Sequence, residues 1–267
     1  MSSLRPRLVV TDLDGTFLSP DGTVSQANAE AVVAAREAGL EFLIATGRPL
    51  RWLDEVSDIA GVHPLVIASN GAMLYDTGSG EVLRSHPIDP AVASDVVMDL
   101  RREVTGTSFA IEQGWRYGVE PTYLRRPLGQ DIVFEGPFEK LVADAPFVKL
   151  LAQNHQYSAD RLAELAGEVI GDRLTVTHSS DDGRGLLELS PAGVSKASML
   201  AEHCRARGIA AEEVAAFGDM PNDLAMLQWA GMPYVMEGAH PAVLGVGTVI
   251  GSNADSAVGG VITGWLD

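Results

Sequence analysis

The chain has 267 residues, 46% of them hydrophobic and 21% charged, a size and balance that fit one large or two modest globular domains. Its 19 basic and 36 acidic residues leave a net charge of −17, which argues against nucleic acid or an anionic membrane as the main partner, because either would repel it. The single cysteine, Cys204, excludes an internal disulfide, and no segment has the makeup of a signal peptide or the length of a membrane span; the expected compartment is the cytoplasm.

Residues 8–13 form an apolar run that breaks into Asp12-Leu13-Asp14-Gly15-Thr16. Such a run predicts a strand covered on both faces of a parallel sheet, where an unpaired charge is costly. Acids at i and i+2 project to one side, and Gly15 permits a sharp turn behind them. The pair would repel itself without a cation between its members. The pattern predicts a magnesium site with a nucleophilic carboxylate; a capping Asp beside a solvated one is the competing reading.

A helix over 27–38 closing on Gly39 and a strand over 40–46 come next. That strand runs into Thr46-Gly47-Arg48, a hydroxyl followed by an accessible amide, which suits a phosphate oxygen; taken alone, an ordinary βα turn with Thr46 as helix cap is the better explanation. Pro49 is expected to open a helix, 65–69 a third strand, and 75–83 a hairpin around Gly78-Ser79-Gly80. Alternating strands and helices predict right-handed βαβ units and a parallel sheet.

The texture changes between residues 84 and 184. Helices over 90–104 and 159–170 are mixed with short strands at 109–112, 148–153 and 174–178, and Arg125-Arg126-Pro127 interrupts them. An inserted α+β module follows. Regular alternation resumes with strand 185–190, helix 195–207, strand 214–218 and helix 221–230, then strands near 233–236 and 249–251 and a last helix over 254–265. The predicted division is a split sheet domain at 1–83 and 186–267, with the insert at 84–185.

Two late signals join the first two. The chain holds only three lysines, and one of them, Lys196, opens a helix, where a cation opposes the helix dipole. A negative group nearby would justify it; a solvated lysine is the alternative. Then an apolar strand runs into Phe217-Gly218-Asp219-Met220-Pro221-Asn222-Asp223. Asp219 is placed to reach a metal, and Asp223, four residues on, to orient it.

Together these four segments resemble the motifs of the haloacid dehalogenase-like phosphohydrolases over essentially the whole chain. Asp12-Leu13-Asp14-Gly15-Thr16 is similar to the first motif, Thr46-Gly47-Arg48 to the second, Lys196 to the third and Gly218 through Asp223 to the fourth. Ser69-Asn70-Gly71-Ala72 and the large insert resemble the Cof-type branch, whose members hydrolyse small phosphorylated metabolites, often sugar phosphates. The resemblance implies an α/β fold, a Rossmann-like parallel sheet core with an inserted α+β cap that closes as a lid. It implies that Asp12 is the nucleophile and Asp14 the general acid and base. It further implies that Asp12, the Asp14 carbonyl and Asp219 hold Mg²⁺, that Thr46, Gly47, Lys196 and Asn222 hold the phosphoryl oxygens, and that Asp223 stands behind the metal. Near the end, Glu237-Gly238 before Ala239-His240-Pro241 departs from the branch's usual pattern.

The leading expectation is a Mg²⁺-dependent phosphatase acting through an aspartyl-phosphate, working as a monomer or small homo-oligomer. A phosphomutase is the enzymatic alternative; isomeric product instead of free phosphate would mark it. A non-catalytic, receiver-like phosphate-binding domain is the alternative from another class, but such domains are much shorter and have no use for Asp14. The six histidines show no paired metal-ligand spacing, so zinc is not expected. In the insert, Glu112, Arg116, His178 and Arg184 are candidates to meet a polar leaving group, with solvated surface as the competing reading.

Overall fold

The computed structural model describes residues 5–124, 132–179 and 185–266. In chain order its elements begin with β1 (Leu8–Thr11), α1 (Gln26–Glu37), β2 (Glu41–Ala45), β3 (Leu65–Ala68), β4 (Met73–Asp76) and β5 (Glu81–Ser85). The middle stretch carries α2 (Pro90–Glu103), β6 (Ser108–Glu112), β7 (Arg116–Val119), β8 (Ile132–Glu135), α3 (Phe138–Asp144), β9 (Lys149–Asn154), α4 (Ala159–Ile170), β10 (Leu174–Thr177) and β11 (Gly185–Pro191). The last stretch carries α5 (Lys196–Arg207), β12 (Val214–Gly218), α6 (Leu224–Trp229), β13 (Met232–Val235), β14 (Thr248–Val249) and α7 (Ala257–Gly264). Two compact units result. One comprises Met1–Arg48, Trp52–Arg84 and Ser195–Asp267; the other comprises Pro49–Arg51 and Ser85–Val194.

The first unit is built on an eight-stranded sheet in the order β14-β13-β12-β1-β2-β3-β4-β5. From β14 to β3 the neighbours are parallel, and β4 then turns back antiparallel on β3. Every residue of β1 and β12 is buried, as continuous apolar strands covered on both faces must be. Leu8, Val10, Leu43, Ile67 and Ala216 pack with Met199, Leu200 and Cys204 of α5 and with Met226 and Leu227 of α6. Cys204 is thus a core residue. Asn28, buried in α1, donates to the Phe17 carbonyl (2.7 Å) and accepts from the Gly259 amide of α7 (2.9 Å). A Cβ at Gly259 would sit 2.7 Å from the Asn28 oxygen, so glycine is what lets α7 close on α1.

Register decides where the site forms. Thr11 lies opposite both Ile44 and Phe217, so β1, β2 and β12 end level with one another. The residues that follow these three ends, Asp12, Thr46 and Asp219, therefore leave the sheet on the same edge. Strand order reverses around β1, and the crevice at the carboxyl ends of such a switch point is where parallel α/β sheets bind ligands.

The second unit has a six-stranded sheet in the order β10-β11-β9-β6-β7-β8, antiparallel except for the β7–β8 pair. One face presents Phe109, Ile111, Leu150, Ala152, Leu187 and Leu189 to apolar residues of α2, α3 and α4. Alternate positions put Ala110, Tyr117, Val119 and Leu151 on the other face, where they form a second apolar cluster with Tyr123.

Several elements differ from the sequence expectation. The strand expected to resume the first sheet at 185–190 is β11, which pairs with β9 and β10, so the second unit runs on to Val194 instead of ending at 185. A mostly buried strand has no mark that says which of two sheets it joins. β7 is interrupted by Gly118, which hid it; a Cβ there would meet the Phe134 ring at 2.6 Å. Pro49 is followed by two short 3₁₀ turns, Leu50–Trp52 and Asp54–Val56, in place of a helix. Arg125-Arg126-Pro127 and Arg184 lie outside the described residues.

Candidate active site

The acids that follow β1 and β12 meet at the crevice. Carboxylate oxygens of Asp12, Asp219 and Asp223 all lie within 4.8 Å of one another. Two glycines allow this approach. Gly15, at φ 80°, lies where a Cβ would collide with the Asp219 carboxylate. At Gly218 a Cβ would lie 2.6 Å from the Asp223 side chain. Thr16 then orients Asp219 through a hydroxyl bond to Oδ1 (2.7 Å).

Lys196 is fully buried at the start of α5, whose N-terminus is closed by a capping box between Ser195 and Ser198. Its Nζ donates to Asp12 Oδ1 at 2.5 Å and to Asp223 Oδ1 at 2.7 Å. The two carboxylates hold the ammonium charged against burial and the helix dipole, keeping its pKa above the ordinary lysine value. Asp223 is fully committed to the protein, because its Oδ2 also accepts from the amides of Asp219 (3.1 Å) and Met220 (3.0 Å).

One ammonium therefore faces three carboxylates. Burial first, and then the neighbouring acids, push Asp12 well above the usual carboxylate range despite Lys196. Burial and the Asp223 charge push Asp219 up to about 7. Asp12 and Asp219 each keep one oxygen, Oδ2, without a protein donor among the described residues, since Lys196 and Thr16 take the Oδ1 atoms. Hard oxygen ligands in a cluster short of positive charge are what a divalent cation requires, so these residues fit one.

The remaining expected residues divide. Thr46 is buried, and its hydroxyl accepts from the Arg48 amide at 3.0 Å. Gly47 lies between them in the same turn. The Asn222 amide group donates to Asn70 Oδ1 at 3.1 Å. Asp14 does not join the acid cluster; its exposed carboxylate takes a bidentate pair from Arg48, at 2.8 Å from Nε and 2.7 Å from Nη2. The 237–240 loop is tied to the site because the His240 amide donates to the Asp219 carbonyl at 2.8 Å. Gly238 has φ 81°, which explains glycine at that point of departure from the family pattern.

Residues 9–262 match the family of haloacid dehalogenase-like hydrolases. The chain is a member of that family. Among curated relatives of this hydrolase is the HMP-PP phosphatase of Citrobacter koseri, 27% identical over 265 residues that cover 98% of this chain and 96% of that protein. Among solved structures, SMU.1108c from Streptococcus mutans UA159 superposes with a TM-score of 0.84 at 20% identity, covering 98% of this hydrolase and 99% of that chain. The phosphatase BT1666 from Bacteroides thetaiotaomicron gives 0.81 at 23% identity, with coverage of 98% and 96%. At such identities the structures speak for the shared fold.

Sequence reasoning singled out neither Thr16 nor Arg48 as a partner of the acids. Thr16 follows the glycine turn directly, so its position was the available signal; Arg48 had none, since nothing local pairs it with Asp14. In the hydrolase's second unit, Glu112 is buried and held by Arg51 through Nη1 and Nη2, and Arg51 lies over the Tyr117 ring at 5.0 Å. Arg116 pairs with Asp144 at 2.6 Å and covers the Phe134 ring, while His178 pairs with Asp160 at 2.9 Å. Lys149 reaches Glu188 at 3.3 Å. No described helix is long and apolar enough to cross a membrane.

Proposed function

We propose that this hydrolase is a Mg²⁺-dependent phosphatase that removes the phosphoryl group of a small phosphorylated metabolite, with sugar phosphates as the leading class, through an aspartyl-phosphate on Asp12. The observation that carries the reading is the state of Asp12: one oxygen is held by buried Lys196, and the other has no protein donor among the described residues. The phosphatase named among its relatives supports the reaction class.

In this reading a carboxylate oxygen of Asp12 attacks phosphorus while Lys196, bonded to Oδ1, favours the ionised form and orients it. The P–O bond to the leaving group breaks, and Asp14 protonates the departing oxygen. Asp14 then removes a proton from the water that attacks the phosphoryl-aspartate, returning Asp12 as a carboxylate and releasing phosphate. Arg48 has to give up its bidentate hold on Asp14 for this exchange, and its position beside Thr46 and Gly47 leaves it next to the phosphoryl oxygens. Thr46, Gly47 and Asn222 bind those oxygens. Asp12 and Asp219 would hold the metal with the Asp14 carbonyl, and Asp223 would fix Lys196 and the loop behind it. When bound, Mg²⁺ supplies positive charge that offsets the phosphoryl oxygens. We assign the reaction to the cytoplasm, as the single cysteine suggests, and to a monomer or small homo-oligomer.

The test is a phosphate-release screen over sugar phosphates, nucleotides and phosphorylated cofactor precursors, with Mg²⁺ and with EDTA. Mg²⁺-dependent release that disappears in Asp12→Asn supports the proposal. Release that persists under chelation, or an isomeric phosphate as product, would overturn it.

A further inference from the structure

Arg48 faces two carboxylates of the first unit and is hydrogen-bonded to one of them. Asp14 takes its Nε and Nη2 at 2.8 Å and 2.7 Å, while Glu55 Oε2 lies 3.5 Å from Nη1, outside that edge of the guanidinium. Nη1 also donates to the Trp52 carbonyl at 3.2 Å. The Arg48 side chain is only 17% exposed, whereas those of Asp14 and Glu55 are 58% and 51% exposed. A nearly buried cation thus has two acids within reach, each free on its outer side to move.

The two acids are engaged to different degrees. Glu55 belongs to the 3₁₀ turn Asp54–Val56, and its neighbours Leu53 and Val56 are buried, so the backbone beneath it is anchored. Among the described residues its carboxylate has no other partner, and at 3.5 Å the contact with Arg48 is a charge pair beyond hydrogen-bond length. Asp14 is occupied as an acceptor on both oxygens. The general acid and base that the proposed reaction needs has to leave this grip to present an oxygen to the reacting group. A guanidinium released in so buried a place would lose the charge partner that its burial requires.

We infer that Glu55 is a positioning residue for the general acid and base: as Asp14 turns to the reacting group, Glu55 takes Arg48 Nη1 into a hydrogen bond and holds the guanidinium off Asp14. The inference rests on the proposed role of Asp14. Only a contact that differs between two states can shift their balance, and here it is the closing of the 3.5 Å charge pair into a hydrogen bond. Glu55 acts through Arg48 alone and does not touch the substrate. When the P–O bond breaks, its electron pair stays on the leaving oxygen, which takes the proton of Asp14. An alkoxide depends on that proton, whereas p-nitrophenolate departs without it.

The experiment compares Glu55→Gln with the unmodified full chain, both with Mg²⁺, on two esters: the alkyl phosphate hydrolysed fastest in the phosphate-release screen, and p-nitrophenyl phosphate. The quantity read is kcat/KM, which covers the steps up to the breaking of the P–O bond. It should fall by about fivefold for the alkyl phosphate, the worth of one charge-assisted hydrogen bond at a half-exposed pair, and by less than about twofold for p-nitrophenyl phosphate. The melting curve should not move, since half of the Glu55 side chain faces solvent. In an Arg48→Met background the same substitution should not change the ratio of the two esters further, because the residue it acts through is gone. An equal fall for both esters or no fall for either would overturn the inference and leave the proposed function standing. So would a rise for both, which is what losing a negative charge near a dianionic substrate would give. If the unmodified protein hydrolyses no alkyl phosphate, the proposed function falls and the inference with it.

Discussion

Both units bury charge, and they do so in opposite ways. In the second unit buried charges lie beside opposite ones: Arg51 with Glu112, Lys149 with Glu188, and buried Glu120 with the more exposed Arg101. In the first unit, among the described residues, one ammonium, that of Lys196, is bonded into the cluster of Asp12, Asp219 and Asp223, through Asp12 and Asp223. A matched pair offsets part of its own desolvation and calls for no further ion. An unmatched cluster stays short of positive charge, and the raised pKa values of Asp12 and Asp219 record that shortage. Imbalance, not burial alone, separates the acid cluster of the first unit from the paired charges of the second.

The comparison can be broken most severely at the nucleophile. Asp12→Asn should lower kcat by about 10⁴-fold or more while the circular dichroism spectrum and melting curve stay those of a folded protein. Measurable turnover within tenfold of the parent would remove Asp12 from the mechanism. Removal of the metal comes next: EDTA should silence hydrolysis and added Mg²⁺ restore it, read as phosphate release before and after back-titration.

Equivalent changes at the two lysines sharpen the contrast. Lys196→Met should abolish detectable turnover and leave Asp12 and Asp223 facing each other uncompensated, whereas Lys149→Met should cost about 3 kcal/mol of stability, read by urea denaturation, and leave kcat within an order of magnitude. If both variants lost activity alike, the matched pair would belong to the chemistry. Gly15→Ala tests the approach of Asp219: the new methyl group would have to displace that carboxylate from a left-handed turn, so the Mg²⁺ concentration for half activity should rise by about tenfold. Thr16→Val, which deletes one hydrogen bond to Asp219, should raise it by only about threefold to fivefold.

Much of the site was legible in the chain because its parts are local. Asp12-Leu13-Asp14-Gly15-Thr16 combines strand, acids and turn within a few residues, and Gly218 through Asp223 repeats the device. Lys196 stood out through scarcity and an adverse position on its helix. What stayed hidden depends on partners far along the chain. Arg48 carries no mark that it will grip Asp14, and Asn70 none that it will hold Asn222, 152 residues away. Glu112 read as a candidate for a polar leaving group or as solvated surface because Arg51, which pairs its charge, is 61 residues distant.

The sequence by itself determined the parallel α/β core, the insert and the identity of the acids and the lysine, since hydrophobic period, glycine placement and charge at strand ends are local constraints that any fold of this chain must satisfy. Tertiary structure alone decided that β11 pairs with β9 and β10, and that Asp14 pairs with Arg48 while Asp223 serves Lys196. The physical reason is that strand pairing and ion pairing are settled by register and competition among distant partners, and a single residue's type leaves several of those outcomes nearly equal in energy.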